Sequence, residues 1–157
     1  DAVANAVGTE AREQLRRGGA MGDISARLRR LVVDRARNRC EYCGLSRAGQ
    51  EATFHVDHVV PISDGGPTSE DNLALACVSC SLRKGAQRSA TDPDAGLLVP
   101  LFSPRRDSWS EHFQWDGFVV VARTPTGRAS IELLKLNRPL ILAIREEESE
   151  RGRHPPD

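Results

Sequence analysis

The chain has 157 residues, and its 22 basic and 22 acidic side chains give a formal net charge of zero. This balance argues against a wholly basic nucleic-acid-binding protein, and no apolar run approaches the ~18 residues that a membrane span needs. Only 39% of the residues are apolar and 4% are aromatic, so we expect a modest core that a structural metal could stabilise. No secretory signal is visible in the polar, Arg-rich start, and a reducing, cytoplasmic compartment is expected.

Charge is distributed unevenly along the chain. Seven arginines lie between Arg27 and Arg47, whereas the segment from Glu146 to Glu150 is acidic. Such a pattern is typical of a protein in which one part of the surface contacts nucleic-acid phosphates. A solvated helix face is an equally good interpretation of the arginine run taken alone.

The first half of the chain predicts one helix and a compact middle segment. Residues 1–22 lack an apolar period and are expected to be disordered or to form a loose helix. Asp23 is expected to cap a helix that runs to about Arg37. Four apolar residues fall on one face of this helix: Ile24, Leu28, Leu31 and Val32.

The middle segment predicts two strands, a loop, the second cysteine pair and a helix. Residues 52–61 alternate in polarity as a strand does, and Gly65-Gly66-Pro67 indicates a loop. Residues 72–76 form a short apolar run, and residues 81–88 predict a helix that ends near Gly85 or a little later.

The second half predicts a connector, a hairpin and two helices. Residues 91–104 are expected to be a connector in which residues 97–99 pack against the protein. Two short strands are predicted on either side of Asp116-Gly117, which is a hairpin turn signal. A helix from Thr126 to Leu136 and another capped by Asn137 follow. The predicted units are therefore residues 23–90, the connector 91–104 and an appendage of residues 105–157.

The four cysteines form two Cys-x-x-Cys pairs. Cys40 and Cys43 make the first pair, and Cys77 and Cys80 make the second. Two intervening residues let both thiolates of a pair reach one ion, and two such pairs complete a tetrahedral zinc site. We therefore predict one structural Zn²⁺ in this chain.

The segment between the two pairs carries polar groups suited to a reaction. Asp57 offers a carboxylate, which is a preferred ligand of Mg²⁺, and His58 can act as a general base near neutral pH. A strand directs neighbouring side chains to opposite faces, so the two serve one site only if the strand ends or bends there. A helix starting near Cys80 would bring Ser81 and Lys84 toward the same place. Together these groups indicate phosphodiester hydrolysis.

These motifs resemble the HNH endonuclease family over about residues 38–88. Five pieces occur in order: Cys40-x-x-Cys43-Gly44, Val56-Asp57-His58-Val59-Val60-Pro61, Gly65-Gly66, Asn72-Leu73, and Cys77-x-x-Cys80 with Lys84-Gly85. The resemblance implies an α+β fold with a small ββα-metal finger and a four-cysteine zinc. A helix precedes this finger, and a hairpin and helices follow it.

The resemblance also implies roles for individual residues. Asp57 corresponds to the acid that binds a catalytic Mg²⁺ or Mn²⁺, and His58 to the histidine that activates the attacking water. Asn72 corresponds to the asparagine that braces the loop and orients that histidine, although it could also be a simple helix cap. The third family position is usually His or Asn, whereas this chain has Ser81. A neutral hydroxyl is a poorer ligand, so Ser81 is expected to weaken the catalytic-metal site.

DNA is the expected partner, and no membrane contact is expected. Three residues are candidates for nucleic-acid binding: His55, Arg83 and Lys84. For His55 a packing or phosphate-contact role is favoured over ligation of a metal, and for Lys84 a solvated helix face is an alternative. His112 is expected to pack beside the tryptophans, and His154 to lie in a tail.

Two functions from different classes remain open at this point. The first is a metal-dependent endonuclease that hydrolyses phosphodiester bonds in DNA. The second is a nucleic-acid-binding module with a weakened active site, because Ser81 replaces the usual ligand. A zinc deaminase is excluded, since that chemistry requires His-x-Glu followed by Pro-Cys-x-x-Cys.

Overall fold

A computed structural model describes residues 23–157 as an α+β protein. The predicted disorder of residues 1–22 lies outside the described residues. The helices and strands in chain order are α1 (Ala26–Arg35), β1 (His55–His58), β2 (Leu73–Ala76), α2 (Val78–Lys84), β3 (Ser89–Thr91), β4 (Leu98–Pro100), α3 (Trp109–His112), β5 (Phe113–Asp116), β6 (Val119–Ala122), α4 (Pro125–Leu134) and α5 (Pro139–Glu150).

The predicted ββα finger is present. Strands β1 and β2 pair antiparallel, from His55 opposite Ala76 to His58 opposite Leu73, and α2 follows directly. Strand β1 is much shorter than the predicted residues 52–61. It ends at His58 because the chain then turns through Pro61 into a single 3₁₀ turn.

Helix α1 directly precedes the segment that carries the first cysteine pair. Ser25 caps it by accepting a hydrogen bond from the Leu28 amide at 3.1 Å, so the predicted cap at Asp23 is wrong. The helix ends before Arg37 because Arg37 and Asn38 have positive φ angles of 53° and 60°. Residues of the left-handed region cannot continue a right-handed helix.

Helix α2 begins three residues earlier than the predicted Ser81, and it ends at Lys84, next to the predicted end near Gly85. Cys77 occupies its N-cap position, and the Cys77 Sγ accepts a hydrogen bond from the Cys80 amide at 3.4 Å. Gly85 ends the helix with a φ of 51°. The early start has a plain cause, since the second cysteine pair also serves here as the helix cap.

The predicted connector contains a β-hairpin, formed by β3 and β4. Its turn is held by Asp92, a fully buried carboxylate that accepts two hydrogen bonds from Arg128, at 2.9 and 2.8 Å. Leu97 and Leu98 are exposed, so the expectation that they pack is wrong. A three-residue strand offers too little alternation to be recognised, and the bond to Arg128 spans 36 positions.

The second hairpin is confirmed, but its turn consists of Gly117 and Phe118, one residue later than predicted, because Asp116 is the last residue of β5 and pairs with Val119. Thr124 caps α4 by accepting a hydrogen bond from the Gly127 amide at 3.0 Å. Asn137 does not cap α5 as predicted, since its amide instead pairs with the backbone N–H and C=O of Val120, both at 2.8 Å. This pairing fixes the end of α4 against β6.

One hydrophobic core joins the finger to the C-terminal half. It includes Val32 of α1, all of β2, and residues of β5, α4 and α5. Helix α4 packs against α2, the β3–β4 hairpin and β6. Within residues 23–157, no helix has the length and apolar character to cross a membrane. The finger is thus positioned by the elements that follow it, and the division at residues 91–104 stays a prediction.

Candidate functional site

The four cysteines form one buried cluster. Their sulfur atoms lie within 4.8 Å of one another, and Cys43 Sγ is 3.7 Å from Cys77 Sγ. Tetrahedral zinc with Zn–S bonds of about 2.3 Å would place its sulfurs about 3.8 Å apart. Both the spacing and the four soft donors fit Zn²⁺, as the sequence predicts.

Local backbone geometry brings each pair of sulfurs together. The Cys43 amide donates to Cys40 Sγ at 3.5 Å, and Cys80 does the same to Cys77. Gly44 follows the first pair with a φ of 77°, which only glycine adopts easily. Burial raises the pKa of the Cys40 thiol, whereas hydrogen bonds with the other three cysteines, with burial in addition, raise the pKa of the Cys80 thiol. A bound cation favours the thiolate form that such burial opposes.

Arg145 lies close to this cluster and is not recognisable from the sequence. Its side chain on α5 is buried, its Nη1 donates to the Phe118 carbonyl at 2.8 Å, and its guanidinium stacks 4.9 Å above the Trp115 ring. Burial lowers the pKa of Arg145, and the charge of Cys43 opposes that change. The C-terminal helix therefore supplies positive charge near the thiolates.

His58 stands at the last position of β1. Its Nε2 lies 2.8 Å from the Thr68 hydroxyl. Burial lowers the pKa of His58 below its ordinary value of 6.5, the nearby Asp57 raises it, and Lys84 lowers it. A neutral imidazole near pH 7 is the form that accepts a proton.

Asn72 bridges the loop beside His58. Its side chain accepts a hydrogen bond from the Val60 amide and donates to the Val60 and Pro67 carbonyls, all at 2.9 Å. Gly66 lies against the same groups. A Cβ at this position would be 1.8 Å from the Val60 oxygen and 2.8 Å from Asn72 Nδ2, so a larger residue fits only if the loop moves. The loop is thus closed by an asparagine and a glycine that both contact Val60.

His55 and Ser81 form a direct contact, and Asp57 lies two positions along the same strand. The distance from His55 Nδ1 to Ser81 Oγ is 2.7 Å. Asp57 is half-buried, and its carboxylate makes no hydrogen bond or ion pair within residues 23–157. A carboxylate, an imidazole and a hydroxyl together are a donor set that fits a hydrated divalent cation.

Lys84 is buried, with only 3% of its surface exposed. Its Nζ approaches the His58 and Gly85 carbonyls at 3.4 and 3.5 Å. Burial lowers the pKa of Lys84, and Asp57 opposes that shift. The solvated helix face that the sequence offered as an alternative is therefore wrong, and burial also argues against a phosphate contact. Arg83 is exposed and donates to Ser79 Oγ at 3.1 Å.

The two remaining histidines lie away from β1. His112 Nδ1 is 2.6 Å from the Thr124 hydroxyl, and the ring packs on Phe102. His154 packs edge-on against Trp115, with ring centroids 4.7 Å apart.

Comparison with known proteins agrees with the motifs. Residues 40–87 match the family model described as HNH endonuclease. No curated protein and no solved structure matches the chain. The matched segment begins at the first zinc cysteine and ends three residues past α2, so it contains both the cysteine cluster and the group around Asp57.

Proposed function

We propose that this chain is a metal-dependent endonuclease that hydrolyses phosphodiester bonds in DNA. The observation that carries the proposal is that Asp57 lies close enough to His58 to raise its pKa, at the end of β1 and beside a loop that Asn72 closes. In addition, Ser81 of α2 contacts His55 of the same strand. This grouping lies within the segment that matches the HNH endonuclease family. A nuclease needs a base and a cation site that are held at a fixed distance from each other, and we propose His58 as the base and Asp57 as the cation ligand.

His58 is the proposed general base. When Nε2–H donates to the Thr68 hydroxyl, Nδ1 carries the lone pair that takes a proton from the attacking water. The contact between Lys84 Nζ and the His58 carbonyl holds the end of the strand. Asn72 acts through the loop, so it is a positioning residue and not a group that touches the substrate.

Asp57 is the proposed ligand of a catalytic Mg²⁺ or Mn²⁺, and Ser81 lies within reach of the same place. A divalent ion bound there would stabilise the leaving oxygen and the charge that develops on phosphorus. Asp57 also keeps a negative charge beside Lys84, which offsets the cost of burying that ammonium. The cysteine cluster is proposed to hold Zn²⁺ for the fold alone, because its four ligands leave no open position.

DNA contacts are proposed at exposed basic residues on and after α2. Arg83 and Arg88 belong to this group, and His55 lies at the edge of the same surface. Basic side chains at such positions bind phosphates without reading sequence. Because the four cysteines are free and buried, we also propose that the protein works in a reducing compartment.

The second candidate is a nucleic-acid-binding module without turnover. One observation favours it, since the Ser81 hydroxyl is already engaged with His55 at 2.7 Å. If no other residue replaced it as a metal ligand, Asp57 alone would hold the ion weakly. The two candidates differ in nicking and not in binding.

Supercoiled plasmid incubated with Mg²⁺ or Mn²⁺ separates the two candidates. An endonuclease nicks the plasmid, and His58→Ala lowers the rate by roughly 10²-fold or more because general-base catalysis is lost. His154→Ala serves as the matched control, since it removes a histidine that packs on Trp115. DNA binding without nicking in the wild-type protein would favour the module.

A further inference from the structure

We infer that His55 is the second protein ligand of the divalent ion, through Nε2, and that Ser81 orients His55 instead of binding the ion. This inference rests on the proposed function and specifies its metal site. It assigns His55 a different role from the phosphate contact or packing expected from the sequence.

Strand geometry places His55 on the same face as Asp57. Residues two apart on a strand point the same way, and their Cβ atoms lie about 7 Å apart. Val56 between them is buried in the core, so the face shared by His55 and Asp57 is directed away from it. Both of these side chains are half-buried, which allows a hydrated ion to approach them.

The hydrogen bond to Ser81 leaves one nitrogen of His55 free. His55 Nδ1 is engaged with Ser81 Oγ at 2.7 Å, and within residues 23–157 the ring makes no other hydrogen bond. Metal-binding histidines commonly donate one ring N–H to an oxygen, which fixes the tautomer and leaves the other nitrogen as the ligand. Ser81 is the oxygen that performs this task for Nδ1, and Nε2 carries the lone pair.

This arrangement also explains how the site works with serine at position 81. A hydroxyl is a weak ligand, but it is short enough to hold an imidazole that projects from the neighbouring strand. Asp57 and His55 then give the ion one anionic oxygen and one neutral nitrogen. Lys84 lies close to Asp57 and its positive charge opposes cation binding, so a second strong donor is needed to retain the ion.

A nitrogen ligand changes the metal preference. Both Mg²⁺ and Mn²⁺ bind mainly oxygen ligands, but Mn²⁺, as a first-row transition metal, accepts an imidazole nitrogen more readily than Mg²⁺ does. The protein should therefore bind Mn²⁺ more tightly than Mg²⁺. Replacing His55 should reduce the difference between the Mn²⁺ and Mg²⁺ affinities, because the affinity for Mg²⁺ depends little on an imidazole ligand.

The test uses the full, zinc-loaded chain and Mn²⁺ as the probe. Pulsed electron paramagnetic resonance of bound Mn²⁺ should show coupling to one ¹⁴N nucleus, and calorimetry gives the affinities. His55→Ala should abolish the coupling and weaken Mn²⁺ binding by roughly 10²-fold, and Ser81→Ala should weaken it by about 10-fold. Zinc content and melting temperature should stay unchanged, and His154→Ala should behave as wild type.

Three results would overturn the inference. They are bound Mn²⁺ without nitrogen coupling, coupling that survives His55→Ala, and coupling that disappears only in His58→Ala. Each of these results is compatible with a wild-type protein that nicks plasmid and an Asp57→Asn variant that no longer binds Mn²⁺. In that case the proposed function stands, and only the assignment of His55 as a metal ligand fails. A chain that neither nicks plasmid nor binds Mn²⁺ would overturn the proposed function and the inference together.

Discussion

The cysteine cluster and the group around Asp57 lie within one short finger, yet they differ in almost every physical property. The cluster is buried and uses four identical soft donors. The second group is half-exposed and mixes a carboxylate, two imidazoles and a hydroxyl. Closed sites stabilise structure, whereas open sites leave positions for water and substrate. The finger therefore keeps the cysteines that stabilise its fold apart from the groups proposed for its chemistry, although only a few residues lie between them.

Removing one cysteine should have the largest effect. Cys77→Ser loses a zinc ligand and also the helix cap at the start of α2. Because metal binding and folding are one event at such sites, we expect loss of zinc and of the cooperative melting transition. Zinc content by elemental analysis and circular dichroism on heating measure both.

Ser79→Ala is the matched control for Cys77→Ser. It lies in the same turn, and it loses only the bond from Arg83. Unchanged zinc content and melting in Cys77→Ser would show that the cluster does not hold a structural metal.

Gly66→Ala should have the next largest effect, and it acts on the other group. The added Cβ would lie 1.8 Å from the Val60 oxygen, so the loop must move and Asn72 must lose hydrogen bonds. We expect a loss of about 1–3 kcal/mol or more in the free energy of unfolding. Nicking should fall while the zinc is retained.

Gly65→Asn is the control for Gly66→Ala. Gly65 has a φ of 82° with no atom within 4 Å of an added Cβ, and asparagine tolerates that conformation. Equal nicking rates in Gly66→Ala and wild type would contradict the role given to this loop.

Ser81→Asn tests the group around Asp57 more gently. The sequence alone predicts that serine limits activity and that asparagine should raise cleavage at limiting metal. The contact between His55 and Ser81 reverses that expectation, since a longer side chain cannot hold the ring in the same way. We expect Mn²⁺-dependent nicking to fall by about 10-fold, measured over a metal titration. Faster nicking by Ser81→Asn at low Mn²⁺ would instead indicate that the side chain at position 81 binds the metal ion.

Asp92 should affect stability and leave both sites unchanged. Its hydrogen bonds with Arg128 lower the pKa of this buried carboxyl to about 2, from an ordinary 3.8. A lowered pKa means that the stabilisation is complete above the unfolded-state value and is lost as the pH falls toward 2. Asp92→Asn should therefore melt several degrees lower than wild type at pH 7.

The gap between Asp92→Asn and wild type should stay constant down to about pH 5 and narrow below pH 4. Melting or urea unfolding of the two proteins at matched pH gives this difference. Asp94→Asn is the control, because Asp94 is largely exposed and makes one contact with Arg128. A gap that does not change in acid would mean that Asp92 stabilises the hairpin without its charge.

The finger could be predicted from the sequence because its signals are local. Cysteine spacing, the Asp57-His58 pair and the Gly65-Gly66 loop each occupy a few consecutive residues. The hairpin at Gly117 was predictable for the same reason, since two-residue hairpin turns strongly prefer glycine, although the turn lies one residue later than Asp116-Gly117.

Long-range pairings could not be predicted. The bond between Asp92 and Arg128 spans 36 positions, and that between His55 and Ser81 spans 26. No periodicity links such residues, so only the folded chain reveals them. Arg145 is the clearest example, because it is an ordinary residue of α5 in sequence but stacks on Trp115 beside the cysteines. The burial of Lys84 is similar, since helical spacing alone leaves that side chain in solvent.

The most direct test of the separation between folding and chemistry is one assay on His58→Ala. Zinc content, melting temperature and plasmid nicking with Mn²⁺ are measured on the same preparation, with wild type beside it. We predict one zinc per chain, an unchanged melting temperature and a nicking rate lower by roughly 10²-fold or more. A wild-type nicking rate in His58→Ala protein that retains its zinc would contradict the account.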